Sequence, residues 1–276
     1  MRNEFENKND VMRRVVSVGS RGADVNSRAR LLTKEMLKVK PAPPQSIKSF
    51  PFNGLLTNKL LTALPDTDFA RLLPHLEPVS LAGGENLYAL DESIQFVYFP
   101  ETVVLSHIHL LADGSTVEAA LIGREGMVGL STIFNSSRPR YWTQVTIAGS
   151  ALRIQAEVVR QDFAAGRAIQ QLLLNYASER LAHLSQRAVC NGRHTVDARL
   201  CSWLLMVQDR AGDHLLPLTQ EQIASYLGTR RAGVTCAAAS LRDRKIISYS
   251  RGHIRILKRQ ALENAACECY RMQRQT

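Results

Sequence analysis

The sequence predicts an α+β chain: an N-terminal antiparallel β-roll of jelly-roll type, a long dimerisation helix and a C-terminal winged helix-turn-helix domain. Three observations predict it. Short apolar runs with a two-residue period, QFVYF, TVVLSHIHLL and TVEAALIG, fill the first half of the chain between turn residues. From Gly166 the period becomes helical, with Leu174, Ala177, Leu181, Leu184 and Ala188 spaced 3, 4, 3, 4. Residues 218–247, LTQEQIASYLGTRRAGVTCAAASLRDRKII, then read as two short helices about a glycine. The expected divisions are a flexible tail at 1–48, the roll at 49–164, the dimerisation helix at 165–190 and the winged domain at 191–276.

The first 45 residues mix charges, Ser, Asn and Gly without apolar periodicity and end in Pro41, Pro43 and Pro44, a tail composition. A short helical segment is expected from Asn58 to His75. In the roll, Asp113-Gly114 suits the tip of a two-residue type I′ hairpin. Counting outward, Leu110 faces Val117 and Ile108 faces Ala119, so Ile108, Leu110, Val117, Ala119 and Leu121 share one face. His107, His109, Thr116 and Glu118 share the other, with Glu118 opposite His109. The two histidines have the spacing of a metal or haem pair on a strand, but the sequence offers no third ligand. They are read as a polar outer face with a His-Glu pair, and no metal and no cofactor are expected. Further strand is expected from Trp142 to Ile154.

The seam Leu174, Ala177, Leu181, Leu184 and Ala188 predicts a homodimer interface, while Ile169, Leu172, Leu173 and Tyr176 form a second apolar strip that packs on the roll. Asn191-Gly192 is expected to break this helix. Leu200, Trp203, Leu204 and Val207 are the stripe of the next.

Thr219 with Gln222 three residues on is a capping box, so a helix is expected from there to Leu227. Gly228 permits the left-handed backbone that ends it, and Thr229 is placed to cap the following helix, expected over 230–242. On that second helix Val234, Ala237, Ala238 and Leu241 point inward. Arg230, Arg231, Thr235, Ala239 and Arg242 point outward, and an arginine in the first turn can form two hydrogen bonds to guanine in the major groove. IISYS-RG-HIRIL reads as a hairpin with Arg251-Gly252 at its tip, a wing that touches phosphate. The DNA-contacting set expected is Thr219, Gln220, Thr229, Arg230, Arg231, Thr235, Cys236, Arg251 and His253. Cys236 is read as a small residue suited to the groove in preference to a redox thiol.

Charge agrees with this. The 276-residue chain carries a formal net charge of +10, and residues 227–259 alone hold nine Lys/Arg against one acid. A basic block of that density meets a polyanion, here double-stranded DNA. Residues 1–40 carry ten basic and five acidic residues. There is no GxSxG, HExxH or Walker loop, so no enzyme is expected. No apolar run nears the ~18 residues of a membrane span, and nothing resembles a signal peptide. Five cysteines, an odd number scattered through helical sequence, fit a reducing compartment, so a cytoplasmic placement is expected. Cys267 and Cys269 are discounted as a metal pair, because residues two apart on a helix point about 200° away from each other.

The order of these parts resembles the Crp/Fnr family of bacterial transcription regulators, from about Asn53 to the C-terminus. VYFP (97–100), IGREGMVGL (122–130) and LTQEQIASYLGTRRAGVT (218–235) carry the resemblance. It implies a cyclic-nucleotide-binding-like roll, a homodimer, a DNA-binding domain and RNA polymerase as a partner. It also implies an effector pocket at Gly126, Gly129, Arg138 and Arg140. Leu130 stands where nucleotide-binding members have a glutamate, and neither arginine is followed by Ser or Thr. An effector other than cyclic AMP, of unidentified nature, is therefore expected. The first cysteine is Cys190, so the N-terminal cysteine cluster of the oxygen-sensing branch is missing. Arg231 matches the family's leading arginine, while Ala232 and Cys236 replace its glutamate and second arginine, which predicts a different operator. The alternative is an effector-binding regulatory module that acts through protein contacts.

Overall fold

The computed structural model describes residues 56–88, 93–134 and 138–274, the side chain of Arg274 excepted. The tail expected at 1–48 lies outside the described residues. The segment expected as one opening helix is two, α1 (Lys59–Thr62) and α2 (Asp66–Leu72), followed by a 3-10 turn at Leu73–His75. Pro65 separates them, since proline cannot donate to a continuing helix. Asn58 caps α1, accepting from the Leu60 and Leu61 amides.

Two antiparallel sheets follow. One has β1 (Glu77–Leu81), β7 (Gly149–Gln155) and β3 (Phe96–Pro100) in the order β1-β7-β3. The other has β2 (Asn86–Tyr88), β6 (Trp142–Ile147), β4 (Val104–Leu110) and β5 (Thr116–Ile122) in the order β2-β6-β4-β5. Val79, Leu81 and Ala151 of the first sheet meet Leu105, Ala120, Ile122 and Val145 of the second in a core between them. Alternate residues of the first sheet, including Val97, Phe99, Leu152 and Ile154, face the opposite way into a helical layer. That layer is α1, α2, α3 (Leu130–Ile133), α4 (Ala156–Ala164) and the start of α5 (Ala168–Arg193). The period-two pattern of the sequence thus serves two cores at once.

The β4–β5 hairpin differs from its expected register. Leu111 N–H donates to Ser115 O at 2.8 Å, so the loop is Ala112-Asp113-Gly114, three residues, with only Gly114 left-handed at φ 83°. Leu110 therefore pairs with Thr116, His109 with Val117 and Ile108 with Glu118. A bulge between His107 and Ile108 absorbs one residue of β5, Ala119, and the counted register returns further in, with His107 opposite Ala120. Glu118 consequently does not pair with His109. It is fully buried.

The helix α5 is 26 residues long and runs through Asn191-Gly192 without breaking. Glycine inside a helix costs only about 1 kcal/mol, and the buried Cys190 secures the last turn. The expected second strip is buried at Ile169, Leu173 and Tyr176. Along the seam Leu174, Leu181, Leu184 and Ala188 are exposed, Leu181 by 69%, and Ala177 is half-buried.

The C-terminal part is built on α6 (Val196–Ala211). Helices α7 (Gln220–Leu227) and α8 (Arg231–Asp243) pack on it, then the hairpin β9 (Ile247–Ser250) and β10 (His253–Ile256), then α9 (Arg259–Ala265) and α10 (Cys269–Arg274). A two-residue strand, β8 (Leu215–Leu216), adds to β10, a pairing too short to register in the sequence. This domain does not stand apart from the roll. Leu200, Trp203, Leu204, Ile223 and Leu227 share a core with Val104, Ile108, Leu121 and Trp142 on the outer face of the four-stranded sheet. Glu118 is the polar centre of that contact, accepting from Trp203 Nε1 at 3.0 Å, Arg187 Nη1 at 2.9 Å and Ser106 Oγ at 2.6 Å.

Candidate nucleic-acid interface

The start of α7 is fixed by the expected capping box. The Gln222 amide donates to Thr219 Oγ1 at 3.2 Å, and the Thr219 amide donates to Gln222 Oε1 at 2.9 Å. Thr219→Ala removes one half of it, and a loss of about 1 kcal/mol is expected, read as a lower urea midpoint with unchanged slope. Gly228 ends α7 in the left-handed conformation, φ 58° and ψ 45°. A Cβ there would lie 3.0 Å from Val117 Cγ1, so the turn of the motif sits directly on the β4–β5 hairpin. Thr229, expected as the cap of α8, is one residue early. Arg230 takes that position, extended and without a side-chain cap.

The helices α7 and α8 are held together on the inside by Ile223, Ala224, Leu227, Val234, Ala237, Ala238 and Leu241, all buried. At the surface Thr235 Oγ1 donates to Gln220 Oε1 at 2.8 Å across the two helices. Arg230, Arg231, Thr235 and Cys236 are exposed on α8. Arg231 keeps 68% of its side chain exposed and meets Glu221 only at 3.6 Å, a contact of little energetic weight at the surface. So loose a contact does not hold the guanidinium back from an anionic ligand.

The wing has its turn where expected. Ser250 pairs with His253, and Arg251 at φ 47° with Gly252 at φ 77° make the two-residue connection. Both angles are positive, as a type I′ turn requires. Thr219 Cγ2 lies 3.4 Å from the place a Gly252 Cβ would take, so the wing tip and the start of α7 adjoin. Thr219, Arg251 and His253 are exposed, while Gln220 and Thr229 are half-buried. Not every basic residue of the 227–259 block faces outward: Arg259 is engaged by Asp209, Glu263, Gln208 and Tyr270.

The residues singled out in the roll are placed otherwise. Gly126 lies under Tyr176 of α5, whose hydroxyl donates to Met127 O at 3.1 Å, and a Cβ at Gly126 would meet that ring. Gly129, left-handed at φ 93°, is pressed between Tyr88 and Val97. Both glycines allow close packing. Arg138 and Arg140 are exposed, and Leu130 contributes to the helical layer. His107 stacks on Tyr141 with ring centroids 4.1 Å apart. Burial, helped by the nearby Arg180 guanidinium and the neighbouring His109, pulls its pKa down to about 3, so it is neutral at physiological pH. Beside Gly126, Arg210 of α6 binds Glu125 at 2.7 Å, a second tie between roll and C-terminal domain. Burial works against that carboxylate, but Arg210 together with the Glu125 and Gly123 amides outweighs it and holds the pKa below the ordinary range.

What the sequence did not disclose is that α7 touches the roll at all. Ser225 Oγ donates to Thr116 O at 3.3 Å, and a cleft of about 610 Å³ between the hairpin tip and the motif is lined by Asp113, Thr116, Glu221, Arg230 and Arg231. The small, polar Ser225 on an otherwise apolar helix face is the one available hint.

Comparison with known proteins bears on this geometry. The profile of the Crp-like helix-turn-helix domain matches residues 198–265. A probable transcriptional regulator, flp, of Lacticaseibacillus casei is 26% identical over 180 residues, covering 60% of this chain and 81% of its own. Among solved structures, FixK2 from Bradyrhizobium japonicum superposes with a TM-score of 0.59 at 22% identity, over 70% of this chain and 98% of that one. The c-di-GMP-responsive global regulator CLP of Xanthomonas campestris gives 0.57 at 14%, over 70% and 99%. Those two establish the fold. No helix among the described residues is long and apolar enough to cross a membrane. The chain thus carries a Crp-like helix-turn-helix domain at residues 198–265, set on a roll and long helix whose fold is similar to that of these transcriptional regulators.

Proposed function

We propose that the protein acts as a homodimer that reads a palindromic operator with α8 in the major groove and the β9–β10 wing on the phosphates. The observation that carries this is the division of α8: Val234, Ala237, Ala238 and Leu241 are buried, while Arg230, Arg231, Thr235 and Cys236 form an exposed, basic and shallow face. Short side chains let the helix lie deep, and the leading arginine supplies base-edge hydrogen bonds. The wing, Thr219 and Gln220 flank that face and position it on the backbone.

Pairing is through the exposed seam of α5. Leu174, Leu181 and Leu184, with Val189 beside them, leave an apolar stripe on a helix whose other side is already packed. Leu181→Glu is expected to convert the dimer to a monomer in sedimentation equilibrium, with the helical circular dichroism kept. The signal that sets activity is a small molecule or state other than cyclic AMP, since Leu130 replaces the ribose-binding glutamate. RNA polymerase is the downstream partner.

The test is selection from random duplex DNA by the purified protein, without ligand, at low and physiological salt. An enriched palindrome that persists at physiological salt supports the reading. Binding that vanishes with salt and enriches no sequence overturns ligand-free operator recognition in favour of a missing effector or an architectural role, and no binding even at low salt favours action through protein contacts.

A further inference from the structure

The expectation that Cys267 and Cys269 diverge rested on a continuous C-terminal helix. The helix is interrupted. The segment leaves α9 after Ala265 and re-enters helix only at Cys269, and in that break both thiols turn to the same side. They meet the end of α5, where Cys190 and His194 lie one turn apart, the His194 amide donating to Cys190 O at 3.1 Å. The helix reaches His194 only because it continues through Asn191-Gly192.

Four potential ligand atoms converge there. The three sulfurs and a ring nitrogen of His194 all lie within 4.8 Å of one another. Cys190 Sγ and Cys267 Sγ are 3.6 Å apart, and Cys269 Sγ is 3.6 Å from His194 Nδ1. A tetrahedral zinc, with bonds of about 2.3 Å to sulfur and about 2.0 Å to nitrogen, sets its ligand atoms roughly 3.5–3.8 Å apart. Three thiol sulfurs and an imidazole nitrogen from two distant segments of the chain thus stand near the spacing of one tetrahedral ligand set. All three cysteines are buried, at 9%, 7% and 3% exposure.

The surroundings are those of a ligand set already oriented. The other nitrogen of His194, Nε2, is 3.2 Å from Glu268 Oε1, which fixes the ring with Nδ1 toward the sulfurs. Gln186 Nε2 donates to Cys269 Sγ at 3.0 Å. Ser202 Oγ lies 3.0 Å from Cys267 Sγ and also accepts from the Cys267 amide at 3.2 Å. Three thiolates and one Zn²⁺ leave a net negative charge, and Arg199 lines the same small cavity as Cys190 and Cys269. The span of 4.8 Å fits one ion and is too tight for an iron–sulfur cluster, whose ligands sit on separate irons.

We propose that Cys190, His194, Cys267 and Cys269 form a Cys3His site for a single Zn(II) ion, which fastens the end of the long helix to the C-terminal segment of the DNA-binding domain. No open coordination position remains, so the role is structural rather than hydrolytic. Binding joins residues 77 positions apart in sequence, and because the ligands must be deprotonated, uptake releases protons.

The experiment uses the full chain, purified reduced and anaerobically, stripped with chelator and titrated with Co(II) and then Zn(II). The expected result is one metal per protomer, thiolate-to-cobalt charge transfer with ligand-field bands of tetrahedral intensity, and displacement of Co(II) by equimolar Zn(II). Cys267→Ser and Cys269→Ser lose the stoichiometric metal, and Cys236→Ser, outside the cluster, keeps it. Should a serine variant fail to fold, the cobalt spectrum of the unaltered chain still decides, and His194→Gln shifts its bands. Absence of metal uptake by fully reduced protein overturns the proposal, as does a Cys190–Cys267 disulfide in its place or the visible absorption of an iron–sulfur cluster. These readouts need no DNA, so they stand or fall apart from the operator selection.

Discussion

Glu118→Ala is expected to lower the unfolding free energy by about 3–5 kcal/mol, the cost of removing one partner from a buried ion pair. The carboxylate is fully buried, and its loss strands the Trp203 indole and the charge of Arg187, 14% exposed, while Ser106 keeps its bond to Thr146. Arg187 retains one bond, to Tyr226 O at 3.2 Å, which does not neutralise its charge. Glu118→Gln keeps the acceptor for Trp203 but not the charge, so an intermediate loss is expected. A Glu118→Leu, Arg187→Met pair should recover most of the stability by exchanging the ion pair for apolar packing. Urea unfolding at fixed protomer concentration checks all three. A loss below about 1 kcal/mol for the alanine variant would mean that the roll and C-terminal domain are not joined through this residue.

Arg231→Ala is expected to erase site preference while sparing the fold. The guanidinium is exposed and has only a loose contact with Glu221, so stability should change little. One arginine bound to guanine by two hydrogen bonds is worth about 1–3 kcal/mol of discrimination, roughly 5- to 150-fold in competition between the operator and a version altered at one base pair. Weak, salt-sensitive binding should remain, because the phosphate contacts are untouched. Arg251→Ala at the wing is the contrast: affinity should fall for all sequences alike. Selectivity unchanged in Arg231→Ala would remove α8 from its proposed position in the groove.

The local devices of this fold were legible because each is written within a few residues. The capping box at Thr219 and Gln222, the left-handed Gly228, the Arg251-Gly252 turn and the two-sided periodicity of α5 are of that kind. Long-range features were not. The hairpin register failed by one residue because Asp113-Gly114 also fits a three-residue loop, and the bulge at Ala119 has no signature. Glu118 looked like a surface carboxylate since its partners, Arg187 and Trp203, lie far along the chain on two helices. Asn191-Gly192 has the composition of a helix end, yet tertiary contacts at Cys190 carry the helix past it. The same contacts explain why the expected divergence of the Cys267 and Cys269 thiols does not occur, since a break separates α9 from α10 where those residues pack against Cys190. For the candidate interface, composition and spacing named the exposed set, but nothing in them showed that the motif rests on the hairpin.

The length of α5 has a mechanical consequence. Tyr176 pins the helix to the Gly126–Met127 turn at one end, and Cys190 meets the C-terminal segment at the other. The fourteen residue steps of helix from Tyr176 to Cys190 make a stiff arm of about 21 Å. A tilt of about 10° at the pin therefore swings the far end by roughly 4 Å, more than a hydrogen bond tolerates. Two such arms in a dimer would each carry a recognition helix toward or away from half-sites spaced about 34 Å apart. The Arg187–Glu118 pair and the core shared by the roll and the C-terminal domain hold the arm along its length, so such a swing would have to repack that contact as well.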